Sequence, residues 1–269
     1  MTPQHLHRAG LFALRRPGTS LPLILLHGIG SDAQSWVRMM SALPPAIDVI
    51  AWNAPGYDSS AALANPSPTP DDYASSLAAL LDALGMPRVV LAGHSLGTLF
   101  AARFAQRFPQ RVAALALLSP ALGYGIPPGE ALPAAVQGRV DDLVRLGPTA
   151  FAATRAAKLV FQPDDKPDIL AGVRRAMAAV RMPGYGQAVR ALGAGTLLAD
   201  VAQIAAPVLV AVGAEDAVTP PANAQATYGA APNKHSFTLV PGAGHALPQE
   251  DPAAVARLLG ALVMEAQHV

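Results

Sequence analysis

Along the first half of the chain, short runs of consecutive apolar residues alternate with stretches in which apolar positions recur every three or four residues. Residues 23–26, 48–52, 88–92 and 112–118 form such runs, and 207–212 and 236–240 repeat them near the C-terminus. A strand with one wet face alternates apolar and polar residues, so uninterrupted runs of this length predict strands covered on both faces. Helical spacing fills residues 69–84 and 98–107, and again about 253–265. Thr69 stands as an N-cap with Pro70 at the first helical position. Asp71 and Asp72 follow at the positive end of the helix dipole, and Gly85 is the expected stop. This alternation predicts an α/β fold, a mostly parallel sheet with helices on both faces.

From residue 120 to about 201 the strand-like runs vanish. Ala/Leu/Arg-rich helical stretches, with room for four helices, lie between Pro/Gly breaks at 127–129, 147–148, 162–163 and 182–184. The predicted division is a core made of residues 1–119 and 202–269, with 120–201 inserted as a helical cap.

Composition narrows the function classes. Hydrophobic residues make up 52% and charged residues 14%, ample for a buried core. With 19 basic and 18 acidic residues there is no basic field to neutralise phosphates, so nucleic acid is not an expected partner. No cysteine is present, which excludes disulfides, thiolate catalysis and thiolate metal sites. The first eight residues are polar and lack the apolar core of a signal peptide. The longest uncharged stretch, 112–129, is interrupted by Pro120, Gly123, Gly125, Pro127 and Pro128, so no membrane helix is expected there. The expectation is a soluble, cytoplasmic protein acting on a small molecule without a membrane partner; the sequence sets no oligomeric state.

The main chemical signal is Gly93-His94-Ser95-Leu96-Gly97, a G-x-S-x-G motif directly after a predicted strand and directly before a predicted helix. A nucleophilic serine must be held proud of the sheet on a tight turn, and flanking glycines carry no Cβ to obstruct it. The following helix aims its first amides at the reacting centre, which offers the Leu96 amide to an oxyanion. The strand–motif–helix context separates this from a plain glycine-rich turn.

A serine hydroxyl needs a base. Of seven histidines, His5, His7 and His268 lie near the ends, His94 is inside the motif, and His235 sits in a polar loop before a strand. His245 follows the last predicted strand in Pro241-Gly242-Ala243-Gly244-His245, a loop able to reach over the C-terminal edge of the sheet. Ligands and catalytic groups gather at that edge in open α/β sheets. The base in turn needs an orienting carboxylate, and Glu215 and Asp216 both stand at the end of the 207–212 run. The order serine, acid, histidine matches the chain order of α/β-hydrolase triads.

Over nearly its full length the chain resembles the α/β-hydrolase superfamily. His27-Gly28-Ile29-Gly30 matches the family's oxyanion segment, so the resemblance assigns the Ile29 amide as partner to that of Leu96. It also implies that His27 props the oxyanion loop without taking part in chemistry. Gly213, Asp216 and Pro220 match the family pattern Gly-x-x-Asp-x-x-x-Pro and select Asp216 over Glu215. Gly244-His245 matches the histidine segment, with Glu250 and Pro252 following. One departure stands out: residues 53–60 resemble Asp-x-Pro-Gly-x-Gly-x-Ser but carry Asn53 for Asp and Asp58 for Gly.

Ser95 argues against the epoxide hydrolases and haloalkane dehalogenases of this superfamily, which use aspartate at the elbow. Neither an HExxH-type metal motif nor a dinucleotide or phosphate loop is present, so no metal or cofactor is expected. Three functions remain. The first is cleavage of a small carboxylic ester or lactone through an acyl-enzyme on Ser95, with His245 as base and Asp216 as orienting acid. The second is carbon–carbon bond hydrolysis of the aromatic meta-cleavage type, and the third is a non-catalytic ligand-binding protein of the same fold. Meta-cleavage hydrolases typically carry asparagine before the nucleophile and two glycines beyond it, whereas this chain has His94, then Gly97 and Thr98. Neither oxyanion segment holds a basic residue to meet an acidic dienoate, although Arg155, Arg174 or Arg181 of the cap are within the segment that closes over the site. The expected pocket wall is Leu122, Tyr124, Phe151, Phe161 and Met182, with Trp36 and Trp52 as packing residues.

Overall fold

The computed structural model describes residues 3–267; His268 lies outside them. In chain order the elements are β1 (Gln4–Arg8), β2 (Leu11–Arg16), β3 (Leu23–Leu26), α1 (Val37–Ala42), β4 (Val49–Trp52), α2 (Pro70–Ala83), β5 (Val89–His94), α3 (Leu96–Arg107) and β6 (Val112–Leu118). Four helices follow, α4 (Ala134–Arg155), α5 (Pro167–Ala178), α6 (Gly184–Ala194) and α7 (Leu197–Val201). The chain then returns through β7 (Val208–Gly213), α8 (Pro221–Ala230), β8 (Lys234–Val240), α9 (Leu247–Glu250) and α10 (Pro252–Ala266).

Among the described residues the strands form one sheet in the order β1-β2-β4-β3-β5-β6-β7-β8. β1 and β2 pair antiparallel with each other, β2 antiparallel with β4, and the remaining pairs are parallel. The α/β fold expected from the sequence is therefore present. Its continuous apolar runs have a direct cause. On β3, Ile24 and Leu26 face a core shared with Leu77 of α2 and Phe100 and Phe104 of α3. Leu23 and Leu25 face the opposite core, shared with Met39 and Met40 of α1 and Leu259 and Val263 of α10. Both faces are dry, so both faces are apolar.

Two strands escape the apolar reading. β1 is an edge strand with mostly exposed residues, joined to β2 through Ala9 and Gly10, both at positive φ as a two-residue hairpin loop requires. An edge strand gains its stability from the ladder rather than from burial, so its sequence stays polar.

The helix signals around α2 correspond to observed contacts. The Thr69 side chain accepts from Asp71 N and the Asp72 carboxylate accepts from Thr69 N, forming a capping box, and Gly85 takes φ +65° just past the end. Within α4, Gly147 at φ +73° and Pro148 break the helix into two arms. Asp142 of the first arm bonds Arg155 of the second at 2.7 Å, whereas thirteen residues of straight helix would separate them by about 20 Å. The arms are folded together.

After β3 the chain passes to β4 on one side and returns to β5 on the other. This reversal opens a crevice at the C-terminal ends of β3 and β5, where open α/β sheets bind ligands. None of the described helices is long and apolar enough to cross a membrane.

Candidate active site

Ser95 is the single residue between β5 and α3, held at φ +52° and ψ −117°. Such a conformation is costly for a residue with a Cβ and persists only when its surroundings enforce it. The enforcement is visible. A Cβ on Gly93 would collide with the Gly97 carbonyl, and one on Gly97 with the carbonyl of Leu26 on the neighbouring strand. Only glycines let strand and helix approach closely enough to make the elbow.

The structure brings Ser95, His245 and Asp216 together. Ser95 Oγ lies 3.1 Å from His245 Nε2, and His245 Nδ1 lies 2.9 Å from Asp216 Oδ2 and 3.2 Å from Oδ1. All three are buried. With Nδ1–H donating to the carboxylate, Nε2 keeps its lone pair toward the serine hydroxyl. Asp216 Oδ1 also accepts from Val218 N and Thr219 N, each at 2.9 Å, and Oδ2 accepts from Thr219 Oγ1 at 3.0 Å. Burial alone pushes this carboxyl up; the bonds from His245 and Thr219 outweigh it and hold the acid at about 2. Glu215, the competing acid, is exposed.

Thr219 was not singled out by the sequence reading. Its hydroxyl stands 3.1 Å from His245 Nδ1 as well as bonding Asp216, so it braces both. The signal was local, since an aspartate that accepts amides two and three residues ahead is an Asx turn.

The Ile29 and Leu96 amides have no hydrogen-bond acceptor among the described residues, and both residues line the cavity beside Ser95. His27 props the loop that carries Ile29. Its Nε2 accepts from Ala54 N at 3.0 Å, so the ring proton sits on Nδ1 and donates to Gly28 O at 2.8 Å. The Tyr57 hydroxyl adds a 2.7 Å bond to the Ile29 carbonyl.

The departure at residues 53–60 explains itself in pairs. Asn53 Oδ1 accepts from Ala33 N at 2.8 Å, while Asn53 Nδ2 donates to Asp58 Oδ2 at 2.9 Å. Asp58 takes φ +48°, a backbone region that aspartate tolerates better than most residues. An amide at 53 thus meets a carboxylate at 58, and the turn closes.

Two further groups hold the histidine. His94 Nε2–H donates to the His245 carbonyl at 2.7 Å, and burial, with the neighbouring His245, pulls the His94 pKa down to about 3. Glu250, whose side chain is fully buried, accepts from Gly244 N at 2.9 Å, Phe161 N at 2.9 Å and Lys166 Nζ at 2.8 Å. Lys166 Nζ also reaches the Gly242 carbonyl, and Ala246 N donates to Leu159 O. The loop carrying His245 is therefore tied to residues 159–166, between β6 and β7 in the chain.

Ser95 opens onto a cavity of about 450 Å³. Leu122, Tyr124 and Phe151 line it; Phe161 and Met182 do not, which corrects the expected wall. The Phe161 amide is spent on Glu250 with its ring under the Lys166 ammonium, and Met182 turns outward to 46% exposure beside Gly186. Trp36 and Trp52 are fully buried away from it. The oxyanion segments hold no basic residue, but the cavity takes positive charge from elsewhere. Arg139, Arg155 and Lys158 line it, whereas Arg174 and Arg181 do not.

Comparison with known proteins bears on the family and the fold. The alpha/beta hydrolase fold family model matches residues 22–252. The 3-oxoadipate enol-lactonase 2 of Acinetobacter baylyi is 28% identical over 206 residues, 76% of this chain and 74% of that protein. A stretch of 100 residues is 38% identical to the dihydrolipoyllysine-residue acetyltransferase component of the acetoin cleaving system of Pseudomonas putida, but it spans 37% of this chain and only 27% of that protein. Among solved structures, a thermophilic esterase from Thermogutta terrifontis superimposes with a TM-score of 0.86 at 24% identity, covering 98% of this chain and 99% of its own. The enol-lactonase of Burkholderia xenovorans follows at 0.85 and 21%, covering 97% and 100%. At these identities the structural likeness is one of fold, and the family rests on the sequence model: the chain belongs to the α/β-hydrolase family.

Proposed function

We propose that the protein is a serine hydrolase that cleaves a small carboxylic ester or lactone through an acyl-enzyme on Ser95. The observation that carries this reading is the unbroken relay from Asp216 through His245 to Ser95, ending at a cavity beside two unengaged amides. His245 Nε2 accepts the serine proton as Oγ attacks the carbonyl. The Ile29 and Leu96 amides take the tetrahedral oxyanion, each contributing about 3 kcal/mol of transition-state stabilisation. His245 then protonates the departing alkoxide, and water repeats the steps on the acyl-enzyme. Residues 120–201 act as a cap, since Leu122, Tyr124, Phe151 and Leu192 contribute to the cavity wall. The enol-lactonase relative, aligned over three quarters of both chains, supports the ester or lactone class.

A second reading, carbon–carbon bond hydrolysis of a dienoate, draws support from the cations in the cavity, and elbow composition weighs against it. The two separate on kcat/KM for short aryl esters and enol-lactones against a 2-hydroxy-6-oxo-dienoate. Ester or lactone turnover is expected to dominate, with a phosphonate capturing Ser95. A dienoate preference above about tenfold, near 1.4 kcal/mol in transition-state binding, overturns the reading. Tight binding of a small ligand without turnover of any of them points instead to a binding protein.

A further inference from the structure

The cavity wall contributed by α4 and the turn after it has an unbalanced charge. Arg139, Arg155 and Lys158 all border the cavity, and no aspartate or glutamate does. The break at Gly147-Pro148 creates this arrangement, because it folds Arg155 back beside the arm that carries Arg139. Arg139, Arg155 and the buried Tyr185 line the same cavity.

The three cations are not equivalent. Arg155 is already paired, bonding Asp142 at 2.7 Å and lying over the Phe151 ring at 4.9 Å. Among the described residues, neither Arg139 nor Lys158 has a carboxylate within ion-pair distance. Leu122, Val173, Met177 and Leu192 give the same wall apolar stretches, beside polar Ser31, Asn223 and Gln249. Arg139 is half-buried and Lys158 exposed at the rim, so their positive field at the cavity draws anions and disfavours cations. On a chain with a net charge of only +1, two unpaired cations at one cavity are a local feature and no general basic surface.

Resting on the ester or lactone reading above, we infer that the substrate carries a carboxylate besides its scissile bond, and that Arg139 and Lys158 are its counter-charges. The apolar wall takes the hydrocarbon between the two ends. Hydrolysis adds water across the acyl C–O bond, giving a second carboxylate, an alcohol (or, from a lactone, a hydroxyl or its keto tautomer on the same molecule) and a proton. An ester whose acyl part bears the charge therefore leaves a dicarboxylate.

A matched pair of substrates tests this. Para-nitrophenyl hydrogen glutarate and para-nitrophenyl pentanoate share chain length and leaving group and differ in the terminal carboxylate. The wild-type kcat/KM is expected to favour the charged ester by about tenfold or more, and the preference to shrink as salt rises. Arg139→Gln and Lys158→Gln should each lower the charged-to-neutral ratio, and the double variant should bring it to about one. Glutarate itself, titrated calorimetrically into wild type and into Ser95→Ala, should bind both and lose affinity in Arg139→Gln. The readouts separate the two claims. Turnover of both esters at a ratio near one, without glutarate binding, overturns the anion inference and leaves the ester reading standing. Saturable glutarate binding that depends on Arg139, with no turnover of either ester, upholds the anion site and removes the ester reading.

Discussion

The serine elbow and the histidine loop face each other across 3.1 Å, yet different parts of the molecule hold them. The elbow is a product of the sheet. Its shape follows from β5 ending one residue before α3 begins, and from two glycines packed against backbone of the same layer. The histidine loop is fastened on its outer side to residues 159–166, through the three bonds of Glu250, the second bond of Lys166 and the Ala246–Leu159 link. One half of the relay is set by the oldest packing rule of the fold, the other by a segment inserted between two strands. Displacing that segment should therefore disturb the base more than the nucleophile.

The largest expected effect lies where the halves meet. Ser95→Ala, His245→Ala and Asp216→Asn should each lower kcat by about 10⁴-fold or more with the fold intact by circular dichroism. Retention of most activity in any of them breaks the relay on which the comparison stands.

Next comes the outer fastening. Glu250→Gln sets an amide donor against three donors at a fully buried position, with an expected cost of about 2–4 kcal/mol in stability. Because Gly244 is adjacent to His245, kcat should fall about ten- to a hundredfold as the imidazole loses its register with Ser95. A variant that melts earlier in a thermal scan but keeps the wild-type kcat shows that the insert does not position the base.

The inner tie is His94, the elbow side chain that bonds the backbone of the histidine loop. Its imidazole is neutral in the fold with a pKa of about 3, and titrates near 6.5 when unfolded. The unfolded chain binds the extra proton between those values, so stability is full above pH 6.5 and falls as the pH drops toward 3. Between pH 7 and 4.5 the wild type should lose about 2–3 kcal/mol more than His94→Gln in urea titrations. Asp200, raised by burial to about 6, has the opposite trend but is common to both proteins and cancels in the difference. Superimposable pH profiles remove His94 from the account. The smallest effect belongs to Glu215→Gln, which alters an exposed side chain and should change kcat less than about twofold. A crippled Glu215→Gln beside an active Asp216→Asn reverses the choice of acid.

The same contrast explains what was legible from residues alone. The sheet and elbow were, because burial on both faces writes itself into continuous apolar runs and a forced turn writes itself into glycines. The bonds that seat the histidine loop were not. Glu250 and Lys166 are 84 residues apart, and nothing local in either links them. The α4 break was visible as Gly147-Pro148, but the direction of the fold-back depends on where Asp142 and Arg155 come to rest, so of the cavity's cations Arg155 was foreseen while Arg139 and Lys158 were not. Phe161 and Met182 show the reverse error. Apolar character placed them in the wall, while a backbone amide needed by Glu250 and an outward turn before α6 took them elsewhere.

The Asn53–Asp58 bond has a consequence for the order in which this sequence diverged from its family pattern. With aspartate at 53, introducing Asp58 sets two carboxylates against each other where a single 2.9 Å hydrogen bond now lies. With asparagine at 53 first, the change to Asp58 finds a donor waiting. The path through the amide is the open one, and once Asp58 is in place it locks Asn53 behind it. Neighbouring lineages that keep aspartate at the first position should therefore keep glycine at the second, so that the two sites change as a ratchet and not independently.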